Sequence, residues 1–313
     1  MLKLKLSILS GVTLTAGDLD GFRSMEESLR ILCEAGFDTV DITFTEHWAE
    51  DYVLRREDWQ QQIESLAEFG AKYGVTFAQS HLPTPRKASM DLEPNWKKPG
   101  YPAYFDECMR RAYAASGILG IPYGTVHPLT YLDAVGDIQK QKERNLAYYR
   151  PMIEWGAEHG VGTAFENMRP DSPDWGFTAR YCQNYEQLID LADSFHHPMV
   201  GICWDTGHAN QAMQNQGDAL RKIGSRLKNL HFNDNFKGCR DEHLLPFMGE
   251  VDWEEVLEAL VDIDYQGVLN YEVGPVLKKA PAKLQQRLLP YVRENGRALV
   301  ELYEQIRQRK ERT

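Results

Sequence analysis

Six segments spread over more than half of the chain each stop on a side chain that can bind a metal ion. "AQSH" ends at His81, "GTVH" at His127, "TAFE" at Glu166, "ICWD" at Asp205, "KNLH" at His231 and "LNYE" at Glu272. Any one of them alone reads as a hydrogen-bonded interior imidazole or a helix-capping acid. Six in succession read differently if their ends converge. Three carboxylates in one small volume would force protons onto some of them, and a divalent cation removes that difficulty. Glu166, Asp205, His231 and Glu272 form a mainly oxygen set. It suits Mn²⁺, Mg²⁺, Co²⁺ or Zn²⁺ and implies no soft thiolate site.

Three more residues extend the pattern. His208 follows Asp205 on the turn of "CWDTGHAN", where a capping role for Asp205 stays open beside a role in a site. Asp241 and His243 are two apart in "DEH", so an extended backbone points both the same way. Cys203 shares the parity of Asp205 and reads as filling, while His47, His159, His196 and His197 fall away from this set.

The elements that must carry these residues alternate along the whole chain. Strand-like runs lie near 4–9, 37–44, 75–81, 122–127, 161–166, 199–205, 227–232 and 267–273, with amphipathic helical patterns between them. Gly36, Gly74, Gly120 and Gly160 follow helical stretches, as helix ends before a strand require. Eight alternations with no composition break predict an α/β fold, a single (β/α)8 TIM barrel over residues 1–313. Long irregular stretches near 82–100, 167–184 and 233–251 each follow a strand. In a barrel they wall the active site, which makes Arg86, Lys87, Arg169 and Trp175 candidate contacts.

Composition narrows the partners. The net charge of −11 and the absence of basic runs argue against a nucleic-acid partner. No run nears the roughly 20 apolar residues of a membrane span. "KLKLSIL" near the start imitates a leader peptide, but its period of two suits a first strand. Five cysteines, an odd number without a CxxC pair, fit a reducing compartment, so cytoplasm is expected.

The motifs "AFEN" (164–167), "WDTGHA" (204–209), "LHFND" (230–234), "DEHLLP" with "GEVDW" (241–253) and "YEVG" (271–274) carry a resemblance. The chain resembles the sugar phosphate isomerase/epimerase group of xylose isomerase-like TIM barrels. That resemblance implies one divalent ion held by Glu166, Asp205, His231 and Glu272, with both glutamates doubling as acid and base and His208 on the substrate oxygens. His81, His127, Asp241 and His243 would line the pocket or hold further ions. The implied substrate is a small keto-sugar or polyol, phosphorylated or not, converted by proton transfer through an enediolate. Members of the group often form homo-oligomers. A distant branch resembles endonuclease IV, where residues matching these nine hold three zinc ions for phosphodiester hydrolysis. A non-catalytic sugar-binding barrel is the third expectation. One departure stands out: members of the sugar branch usually have Gly just after "LP", where this chain has Phe247.

Overall fold

The computed structural model describes residues 4–45, 52–84, 97–170, 180–237 and 241–312. Eight strands run β1 (Lys5–Leu9), β2 (Thr39–Thr43), β3 (Thr76–His81), β4 (Tyr123–Val126), β5 (Gly162–Glu166), β6 (Val200–Asp205), β7 (Leu227–His231) and β8 (Val268–Tyr271). Each falls inside one of the eight expected runs. All pair in parallel with their sequence neighbours, and β1 also pairs with β8. The last seam closes beside Phe232, whose N–H donates to Asn270 O at 2.7 Å and whose carbonyl accepts from the Glu272 N–H at 3.1 Å. The sheet is a closed (β/α)8 barrel.

Helices including Met25–Glu34, Trp59–Tyr73, Tyr101–Ile118, Ile138–Glu158, Tyr185–Ser194, Gln216–Ile223, Trp253–Asp262 and Ala282–Glu311 return the chain between strands and wrap its outside. Gly36, Gly74, Gly120 and Gly160 take left-handed φ values between 71° and 88°, which stop a helix without the Cβ penalty. A short helix, Thr206–Gln211, starts directly off β6, at the turn where a capping role for Asp205 stood open.

Strand parity sorts the interior into layers. Two residues before the six chemically active ends lie Gln79, Thr125, Ala164, Cys203, Asn229 and Asn270, all buried. This layer is largely polar and hydrogen-bonds within itself: Asn229 Nδ2 donates to Thr125 Oγ1 at 2.9 Å. The apolar core lies instead between sheet and helices, where Phe105, Met109, Tyr113, Phe165 and Trp204 are fully or almost fully covered. Tyr113 also makes one polar link there, its hydroxyl 2.7 Å from Thr163 Oγ1 on the outer face of β5. Tyr113→Phe keeps the ring and deletes that bond, so it should lower the unfolding free energy by about 1 kcal/mol. Urea denaturation of the two proteins measures the difference.

Candidate active site and metal centre

Glu166 is the hub of the barrel mouth. It ends β5, is completely buried, and turns its two carboxylate oxygens to different neighbours. Oε1 lies 3.0 Å from His231 Nδ1 and 3.4 Å from His208 Nδ1. Oε2 lies 3.0 Å from His127 Nε2 and 3.7 Å from His81 Nε2. Glu272, one residue past β8, brings its Oε2 to 2.9 Å from the same His231 Nδ1. The register pairs Asp205 with His231 at the ends of β6 and β7.

Asp205 caps a helix and also stands among the candidate ligands. Its Oδ1 accepts the main-chain N–H of His208 at 2.6 Å, capping the helix Thr206–Gln211. Glu166, Asp205, His231 and Glu272 also each offer one ligand atom, all within 4.8 Å of one another. A cation with bonds near 2.1 Å needs ligand atoms about 3 Å apart, and the two His231–glutamate distances match. His81 with His127 and Glu166 forms a second group of this kind, and His208 with Asp241 and His243 a third. All nine residues singled out from the sequence therefore meet at one mouth. Arg169 joins them, its Nε 3.1 Å from Asp241 Oδ2. His47, Arg86, Lys87 and Trp175 lie outside the described residues.

The electrostatics are those of a crowd of anions that recruits positive charge. Burial, reinforced by Glu166 and Glu272, pushes Asp205 up to about 7 against the pull of His208. Burial disfavours charge on His208, yet Asp205, Asp241 and Glu166 outweigh it and raise that imidazole to about 9. Against the same penalty, Asp241 leads the groups that raise His243 to about 10. Burial would also raise Glu166, but His231 and His127 hold it well below the usual carboxylate range. Glu166 Oε2 and Glu272 Oε2 are met by imidazole nitrogens at 3.0 and 2.9 Å; even so, Asp241 Oδ1 is buried without a hydrogen bond. Buried carboxylate oxygens left this way are costly unless a cation meets them. The donor set fits a divalent ion.

Tautomers are partly fixed by carbonyls, which only accept. His208 Nδ1 donates to Asn167 O at 2.9 Å, His243 Nδ1 to Glu272 O at 2.7 Å and His81 Nδ1 to Leu82 O at 3.2 Å. Each keeps Nε2 for the mouth. His231 is the exception, with Nδ1 among the acids.

The family model described as "Xylose isomerase-like TIM barrel" matches residues 29–291. The chain belongs to this family. It is 29% identical over 170 residues to the uncharacterized protein MJ1311 of Methanocaldococcus jannaschii, an overlap of 53% of this chain and 55% of that one. It is 25% identical over 237 residues to the D-psicose 3-epimerase of Enterocloster bolteae, covering 76% of this chain and 72% of that enzyme. The overlap with the uncharacterized protein y4fM of Sinorhizobium fredii is shorter, 29% of either chain at 36% identity. A solved D-tagatose 3-epimerase-like protein superposes with a TM-score of 0.73 over 98% of this chain and 99% of its own, at 22% identity. These curated relatives overlap the chain only in part, and the solved structure supports the fold. No described helix is long and apolar enough to cross a membrane.

Sequence reasoning missed the supports of this site. Asn167 holds β5 to β6 by accepting the Asp205 N–H at 2.7 Å and donating to Asp205 O at 2.9 Å. Asn233 Nδ2 donates to Asp205 Oδ2 at 2.8 Å. Asp234 clasps the following loop: its Oδ1 accepts the Val251 N–H at 3.0 Å, and its Oδ2 accepts Trp253 Nε1–H at 3.1 Å. The motifs "LHFND" and "GEVDW" are thus two halves of one joint. Phe247 has a φ of 70°, a left-handed value that glycine adopts more readily than phenylalanine. His243 also takes a left-handed φ, 45°.

The glycine of "TGH" has a steric reason. A Cβ on Gly207 would come 1.8 Å from Asn233 Oδ1, so Gly207→Ala must displace the amide that steadies Asp205. The substitution should cost about 1–3 kcal/mol, read as a lowered thermal midpoint against the parent chain.

Proposed function

We propose that the chain is a divalent-metal-dependent isomerase or epimerase of a small keto-sugar or polyol. The observation that carries the reading is the meeting of Glu166, Asp205, His231 and Glu272, with both glutamates at about 3 Å from one imidazole nitrogen. These four residues would hold the ion. When bound there, a divalent ion polarises neighbouring carbonyl and hydroxyl oxygens and so acidifies the C–H beside them.

The proton chemistry belongs to the chain. Glu166 on β5 and Glu272 after β8 stand on different walls of the mouth, so one takes the proton from carbon and the other returns it. The side chain of Glu272 is 17% exposed against 1% for Glu166, which makes Glu272 the partner that exchanges its proton with solvent more readily. His208, with Nδ1 committed to Asn167 O, keeps Nε2 for substrate oxygens. The similarity to a D-psicose 3-epimerase over three quarters of the chain supports proton transfer next to a ketose carbonyl. Arg169 is a cation at the same mouth, suited to a phosphate or carboxylate on the substrate.

A second reading, phosphodiester hydrolysis with up to three zinc ions, is favoured by one observation. His208 and His243 both commit Nδ1 to main-chain carbonyls, so their Nε2 atoms face Asp241 Oδ2 at 3.7 and 3.1 Å. Two lone pairs aimed at a carboxylate need protons or another ion between them. The net charge of −11 weighs against a nucleic-acid substrate.

Elemental analysis separates the two readings: about one Mn²⁺, Mg²⁺, Co²⁺ or Zn²⁺ per chain supports the isomerase, and about three zinc ions support the hydrolase. Stripping the protein with a chelator should lower its thermal midpoint, and Mn²⁺ at a hundredfold its Kd should restore about 2.7 kcal/mol. With metal supplied, a panel of ketoses in deuterated water should gain label at the carbon beside the carbonyl. Glu272→Gln should cut that exchange by at least about 100-fold, and no labelling by the parent protein across the panel would sink the proposal.

A further inference from the structure

One buried acid takes no part in the mouth yet faces it. Asp41, in the middle of β2, is completely buried, and its Oδ2 lies 3.5 Å from His231 Nε2. The same oxygen accepts Gln79 Nε2–H at 2.7 Å and Asn270 Nδ2–H at 2.9 Å. Gln79 and Asn270 belong to the polar layer one step below the site, so Asp41 is clamped from β3, the next strand of the barrel wall, and from β8, one strand beyond β1. Its Oδ1 and His231 Nε2 are each buried without a hydrogen bond.

Two amide donors do not require a charged acceptor. An asparagine carbonyl at position 41 would accept both, without the penalty of burying a carboxylate. What gains from the charge is the imidazole. His231 differs from His81, His208 and His243 in lacking a main-chain carbonyl on the nitrogen away from its acidic neighbours. Asp41 stands where that carbonyl would be.

We propose that Asp41 is a positioning residue that holds His231 as the Nε2–H tautomer, so that Nδ1 presents its lone pair between Glu166 and Glu272. The inference rests on the metal site of the proposed function and adds a layer to it. A carboxylate behind a ligating imidazole raises its basicity and fixes its ring plane, and removing such a partner weakens metal binding by about 10–100-fold. At 3.5 Å the contact is an ion-pair distance, long for a hydrogen bond.

The test is Asp41→Asn, which preserves shape and both amide contacts while removing charge. Calorimetric titration of chelator-treated protein with Mn²⁺ alone should show affinity lower by about 10–100-fold. The thermal midpoint of the metal-free variant should equal or exceed that of the parent, which a merely structural acid would not allow. Mn²⁺ affinity within twofold of the parent overturns the inference and leaves the proposed function standing. A parent chain that binds no divalent ion overturns both. If D41N does not fold, Asn270→Ala, which removes one of the two clamps, is titrated in its place. A severalfold loss of Mn²⁺ affinity supports the role, and unchanged affinity overturns it.

Discussion

The repulsion among acids at one end of the barrel governs the rest of this structure. Glu166, Asp205 and Glu272 come from three separate segments and bring ligand atoms within 4.8 Å of one another, and Asp241 joins them through His208. Water cannot disperse that charge, because Glu166 and Asp205 are fully buried. The fold answers with five imidazoles and one guanidinium, and with main-chain carbonyls that decide which face each imidazole presents. Such an arrangement is expensive as architecture, since buried carboxylates must be met by positive charge.

Much of this was legible before any coordinates. The barrel follows from eight alternations of period two and period 3.6, and the mouth follows from asking which residue type ends each strand. Both signals are periodic, and periodicity survives in a single sequence. The supports were not legible for an equally physical reason. Asn167 and Asn233 act by holding backbone and carboxylate in place, and asparagine is common in any loop after a strand. Asp41 lies inside "TVDIT", two residues before the end of its strand, so a reading confined to strand ends passed over it. Parity carried one layer deeper would have found it beside Gln79 and Asn270. Asp205 shows the opposite case: its capping role was legible from the sequence, and its second oxygen is held by Asn233, which was not.

The polar layer beneath the mouth sets this barrel apart from interiors filled by Val, Ile and Leu. Gln79, Asn229 and Asn270 forgo apolar burial in the middle of the strands, and their hydrogen bonds run to one another's neighbours, to Asp41 and to strand carbonyls. A network of this kind fixes one arrangement of side chains where an aliphatic plug would tolerate several. The adhesive apolar contacts were moved outward, to the interface of sheet and helices, where Phe165, Trp204 and Tyr113 pack.

The clasp at Asp234 divides the segment after β7 into parts with different freedoms. Both ends are fastened, by the Asp234–Leu244 main-chain pair and by the bonds to Val251 and Trp253, while Phe236, Phe247 and Met248 project into solvent. Selection, or an engineer, can therefore exchange the projecting side chains as a cassette without reopening the barrel seam. Sequence change after β7 has a place to accumulate that leaves the strand pairing intact.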